Sequence, residues 1–188
     1  GNGFAAVALA TATDLFGNLI TSTPTLGETF VVDNTAPTVS IGEPSGLLTK
    51  SGPITYIITY TNADAITLAD GNVTLNTTGT ADGTVLVSGS GTATRTVTVN
   101  NITGNGTLGI SLAAATASDT AGNTAIAAGP STNFTVDNTI PVITRYGKAI
   151  VKIYKNTNYS DAGAVASDNI DGNITSRIVT DGLPINTA

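Results

Sequence analysis

The chain contains no cysteine, histidine, methionine or tryptophan. Without cysteine, no disulfide can staple the fold. Without cysteine and histidine, the usual ligand sets for zinc, haem and iron–sulfur clusters are missing, as are the Ser-His-Asp and Cys-His constellations of nucleophilic enzymes. Carboxylates and carbonyls remain, and these are ligands for hard cations. Charge is also sparse. Lys, Arg, Asp and Glu make up 11% of the chain, against about 25% in a typical soluble domain. The net charge of −6, with no basic stripe, argues against nucleic acid as a partner. No apolar run is long enough to span a bilayer, so no membrane span is expected. Glu28 and Glu43 are the only glutamates, and nothing in their spacing sets them across a cleft as a glycosidase requires. The expectation is therefore that the chain is not an enzyme. No signal peptide opens it, and its first residues already read as mid-domain sequence, so it is expected to be a piece of a longer protein.

What the chain does have is 40% apolar residues, mostly Val, Ile, Leu and Ala, enough to bury a core. Threonine accounts for roughly one residue in five, and its branched Cβ favours a pleated, half-exposed surface. A neutral Thr/Asn/Ser surface in place of Lys and Glu points to a location outside the cell.

Self-similarity organises the rest. Phe30, Asp33, Asn34, Thr35 and Pro37 recur as Phe134, Asp137, Asn138, Thr139 and Pro141, an offset of about 104 residues. Asp14, Gly17 and Asn18 recur as Asp119, Gly122 and Asn123 after a one-residue shift, which fits an indel in an intervening loop. The offset is a normal size for one β-sandwich. Three pieces follow: 1–35, the last strands of one repeat; 36–140, a complete repeat; and 141–188, the opening of a further domain. Within 36–140, short runs of period-two alternation lie between Gly, Asn, Asp and Pro turns, at 38–41, 54–60, 65–68, 73–75, 85–87, 97–99, 108–112 and 133–136. The predicted class is all-β, tandem immunoglobulin-like Greek-key sandwiches. Residues 113–117 are alanine-rich, but their counterpart AVALATATD alternates and argues for strand.

The phrases GPITYIITYTNAD, RTVTVNNITGNGTLGISLAAATASDTAGNTA and FTVDNTIP resemble the bacterial Ig-like repeats of very large secreted or surface-anchored adhesins, over nearly all of residues 1–140. Residues 141–188 look like a different bacterial surface Ig-like domain that often follows such repeats. Tyr159, Asp161, Gly163, Ala164, Asp168, Asn169, Asp171, Gly172, Ile174 and Thr175 carry that likeness. The resemblance implies a stalk or spacer of a cell-surface adhesin whose partners are neighbouring repeats, and it implies calcium at the junctions.

The ligand candidates are the two recurrent acidic motifs, Asp-x-x-Gly-Asn (Asp14, Asp119) and Asp-Asn-Thr-x-Pro (Asp33, Asp137). Asp168 and Asp171 join them in a segment that partly mimics a calcium loop. An EF-hand is rejected, because Ser167 replaces its first Asp and Ile178 its bidentate Glu. Turn chemistry competes at every one of these sites and is the preferred reading, since Asp and Asn side chains cap their own backbone. Gly104-Asn105-Gly106-Thr107-Leu108-Gly109 matches a dinucleotide fingerprint, but strand rather than helix follows it, so it reads as a hairpin turn. Pro37 and Pro141 restrict themselves and the residues before them to extended backbone, and no Gly/Ser tract separates the repeats. A stiff joint is therefore expected. Two other roles are weighed: a self-assembling fibre in which identical subunits complete one another by strand addition, and a carbohydrate-binding module. The last ranks lowest, because Tyr56 and Tyr60 share parity with Ile54 and Ile58 and so belong to a core.

Overall fold

A computed structural model describes residues 1–6, 13–19 and 29–181. Glu28, most of the AVALATATD stretch and the last seven residues lie outside them. Among the described residues, all regular structure is strand apart from two single 3₁₀ turns, at Asp70–Asn72 and Thr175–Arg177. The strands are β1 (Gly3–Ala6), β2 (Thr29–Val32), β3 (Thr38–Ile41), β4 (Leu48–Thr49), β5 (Ile54–Thr61), β6 (Ala65–Ile66), β7 (Val73–Thr77), β8 (Asp82–Ser88), β9 (Thr94–Thr103), β10 (Gly106–Leu112), β11 (Ala117–Ser118), β12 (Phe134–Val136), β13 (Val142–Arg145), β14 (Ala164–Asp168) and β15 (Gly172–Asn173).

Alternation decides the main body. In β5, Ile54, Tyr56, Ile58 and Tyr60 are buried, while Ile57, Thr59 and Thr61 face water. In β9, Val97 and Val99 point inward between threonines. These strands sit in the sheet β3-β5-β9-β8. The second sheet, β4-β12-β10-β7, turns Leu108, Ile110, Phe134 and Val136 toward the same core. Every neighbour in the two sheets is antiparallel except β4, which runs parallel to β12. The body is thus sandwich-like, with one continuous core. Tyr56 and Phe134 meet across it with ring centroids 6.5 Å apart. The tyrosine hydroxyls do not go unpaired: Tyr56 Oη donates to the Thr132 carbonyl at 2.9 Å, and Tyr60 Oη donates to Thr116 Oγ1 at 2.9 Å. Burial pushes both hydroxyls above the usual phenol pKa.

Gly104-Asn105-Gly106 does not make the expected hairpin. It joins β9 to β10, and those strands lie in different sheets, so the turn is a crossover between the layers. Gly104 and Gly106 have φ of 75° and 143°, while Asn105 is not in the left-handed region. The turn packs on residues 78–80: Thr80 N donates to the Asn105 carbonyl at 2.8 Å, and Thr78 N to the Thr107 carbonyl at 3.0 Å. Residues 113–116 are not continuous strand either. They form a turn between β10 and β11, with Ala115 at φ 61°.

Among the described residues there are three smaller sheets: β6 pairs antiparallel with β11 inside residues 36–140, and the other two lie before and after it in the chain. β1 pairs antiparallel with β2, and the register Gly3↔Val32, Phe4↔Val31, Ala5↔Phe30 repeats the register Gly106↔Val136, Thr107↔Thr135, Leu108↔Phe134 of β10 and β12. Burial does not repeat. Phe134 is 1% exposed, but its counterpart Phe30 is 54% exposed. The sheet β13-β14-β15 buries Ala166 alone among its apolar side chains and leaves Val142 and Ile143 open.

Candidate functional site

The recurrent Asp-Asn-Thr-x-Pro segments lead out of β2 and β12. In each, the aspartate folds back on its own chain: Thr35 N donates to Asp33 Oδ1 at 2.9 Å and Thr139 N to Asp137 Oδ1 at 3.0 Å. Such Asx turns fix the exit direction of the chain. Pro37 is buried at the mouth of β3, where its fixed φ suits an extended lead-in.

Each segment is also held by the asparagine of the Gly-Asn-Gly stretch that enters β1 or β10. Asn34 N donates to Asn2 Oδ1 at 2.7 Å, and Asn2 Nδ2 donates to Asp33 Oδ1 at 2.8 Å and to Thr35 Oγ1. In the second copy, Asn138 N donates to Asn105 Oδ1 at 2.6 Å, and Asn138 Nδ2 donates to the Gly104 and Lys50 carbonyls at 2.7 and 3.0 Å. Sequence reasoning saw these asparagines only as turn residues. Their recurrence at an offset of 103 residues, one short of the 104 that separates Asp33 from Asp137, is a signal that could have found them.

The Asp-x-x-Gly-Asn loops are equally alike. Asn18 N and Nδ2 donate to Asp14 Oδ1 and Oδ2, each at 2.8 Å. Asn123 N and Nδ2 donate to Asp119 Oδ1 and Oδ2 at 2.9 and 2.8 Å. Hydrogen bonds to the ionised form lower a carboxyl pKa. The Asn18 amide accordingly holds Asp14, and the Asn123 amide holds Asp119, below the ordinary aspartate value. The sign of the pH effect follows. A depressed folded pKa stabilises the fold above the unfolded value, and that contribution is lost as pH falls through the folded value. The Asp119 carboxyl, followed by NMR, should titrate below about pH 3.9, and Asn123→Ala should move its midpoint up toward that value. An unmoved midpoint would mean that the amide is not the cause.

The two motifs meet out of phase. Asn123 Nδ2 also donates to the Asp33 backbone carbonyl at 2.9 Å, so the Asp119 loop reaches the linker that precedes its own sandwich. Beside it, Thr120 N and Oγ1 donate to Asp64 Oδ2 at 2.8 and 2.9 Å. Asn2, Asp33, Thr35, Asn62, Asp64, Asp119 and Thr120 line one polar cleft of about 400 Å³. The structure therefore brings Asp33 and Asp119 to one cleft and adds Asp64, whose stretch occurs only once in the chain and gives no repeat signal. Asp14 and Asp137 do not line this cleft.

Among the described residues, no group of three or more Asp or Glu is arranged to hold a metal ion. Both oxygens of Asp119 are engaged by Asn123. Asp168 ends β14 and Asp171 lies in the turn to β15; Asp168 Oδ1 accepts from Ile170 N and Asp171 N, and Asp171 pairs with Arg177 at 2.7 Å. That ion pair is solvent-exposed and contributes little to stability. No family model matches the chain, and no curated protein or solved structure is significantly similar to it.

Proposed function

We propose that the chain is a structural spacer of a bacterial cell-surface adhesin, a stretch of tandem Ig-like sandwiches that forms a stiff extracellular rod and carries no chemistry of its own. The Ig-like reading is supported by strand order. In the constant-type immunoglobulin arrangement, strands A, B, E and D form one sheet and C, F and G the other. Here β3-β5-β9-β8 follows the A-B-E-D order, and β12-β10-β7 follows G-F-C with β4 added beside G. The tandem reading, with units at 1–35, 36–140 and 141–188, is supported by the shared register of β1–β2 and β10–β12.

The observation that carries the rod is the linker itself. Residues 33–37 are bonded to Asn2 on one side and Asn123 on the other, with buried Pro37 between linker and sandwich. A chain so held does not behave as a flexible coil. A variant of this reading, which rests on the resemblance alone, has calcium stiffen the joint further; Asp33, Asp64 and Asp119 line one cleft there but already accept hydrogen bonds from their own surroundings. The exposed apolar side chains Phe4, Phe30, Val142 and Ile143 favour the second reading, a fibre whose identical subunits cover these faces by strand addition. Small-angle scattering on the chain, with calcium and with chelator, tests the rod: an elongated monomer with fixed dimensions is expected. A compact or freely jointed particle in both conditions would sink it, and concentration-dependent growth would select the fibre.

A further inference from the structure

The linker is held on its upstream side by Asn2, which leads into β1, the partner of the strand β2 that the linker leaves. Direction across the joint is a different matter. It requires a bond between the linker and the sandwich that follows, and Asn123 makes one. A side-chain amide has two N–H groups and therefore two donations to give. At Asn123 both are used: one goes to Asp119 Oδ2 at 2.8 Å within its own loop, the other to the Asp33 carbonyl at 2.9 Å. The carboxylate orients the amide, and the oriented amide receives the linker. Asn18 has the same bonds to Asp14, but no bond from Asn18 to a linker occurs among the described residues.

We propose that Asn123 is the latch of the joint: the Asp-x-x-Gly-Asn loop is the surface on each sandwich that receives the preceding Asp-Asn-Thr-x-Pro linker, and the latch closes through hydrogen bonds without a metal ion. This deepens the rod reading, on which its role in stiffness rests. It also explains why the two motifs recur together. Each is one half of a contact whose other half lies in the adjacent repeat.

The absence of cysteine makes the test clean, because two introduced cysteines carry the only labels. Val31→Cys on β2 and Leu86→Cys on β8 are exposed positions outside the latch, and the distance distribution between nitroxides on them reports the joint. The unaltered joint should give one narrow distribution, the same with calcium and with chelator. Asn123→Ala should broaden it, because losing one hydrogen bond of about 1 kcal/mol shifts the open-to-closed ratio about five-fold. Asn18→Ala, which loses the same loop bond without a linker contact, should leave it narrow. A distribution that stays narrow in Asn123→Ala overturns the latch and leaves the rod standing. One that is narrow only with calcium overturns it in favour of the metal. One that is broad in every condition overturns both readings. Should Asn123→Ala fail to fold, the unaltered chain still decides: Asn123 side-chain amide protons should exchange about five-fold more slowly than those of Asn18, and equal rates overturn the latch.

Discussion

Phe134→Ala is expected to cost the main sandwich about 3–5 kcal/mol, and Phe30→Ala about 1 kcal/mol or less. The two residues hold the same place in the repeat, each opposite a small or apolar partner in the same antiparallel register, Ala5↔Phe30 and Leu108↔Phe134. Their surroundings differ. Phe134 is 1% exposed and packs against Tyr56 among residues from both sheets. Deleting its ring removes the transfer free energy of the buried atoms and leaves a cavity that a close-packed interior does not refill. Phe30 is 54% exposed, so alanine there exposes little new surface and opens no cavity. Urea unfolding followed by the fluorescence of the buried tyrosines measures both. Equal losses would mean that β1–β2 is covered in solution as β10–β12 is, and that the exposed face is not exposed.

Gly104→Ala should be nearly as damaging, at about 2–4 kcal/mol. Its φ of 75° lies in the left-handed region, which costs an L-residue about 1–2 kcal/mol. A Cβ there would also lie 1.9 Å from the Thr80 carbonyl oxygen, a backbone atom that cannot swing aside, so the crossover between the two sheets must shift. Gly91→Ala separates the two contributions. Its φ is 83°, and nothing lies within 4 Å of an added Cβ, so it should show the conformational cost alone. Thermal melting of the two variants should differ by several degrees, and identical losses would show that the Thr80 contact yields freely. Because the Gly104 carbonyl accepts from Asn138 Nδ2, the first substitution should also loosen the Asp137 linker.

These two cases mark where sequence reasoning stopped. The strands of residues 36–140 were readable because a strand has a period of two. One apolar face in β5 is enough to place Ile54, Tyr56, Ile58 and Tyr60 in a core, and they are buried, as are the alternating Val97 and Val99 of β9. The turn residues at Asp14, Asp33, Asp119 and Asp137 were readable because an Asx turn is made within a few residues, and all four carboxylates accept backbone N–H groups from their own loops. Alternation, however, says which side of a strand faces the core and not which strand lies beside it. For that reason Gly104-Asn105-Gly106 read as a hairpin when it crosses between sheets, and residues 113–117 read as strand when 113–116 turn and only Ala117 enters β11.

The sequence by itself determined that this chain is all-β, that it repeats at about 104 residues, and that it has no cysteine or histidine to offer as a ligand. Those properties are written in composition, period and local turn geometry, which need no knowledge of distant neighbours. Only the tertiary structure decided that Phe30 is exposed while Phe134 is buried, that Asp64 joins Asp33 and Asp119 at one cleft, and that Asn123 reaches the Asp33 carbonyl 90 positions away. Each of these depends on contacts between segments far apart in the chain, and a hydrogen bond or a packed ring exists only once the fold has brought both partners to the same place.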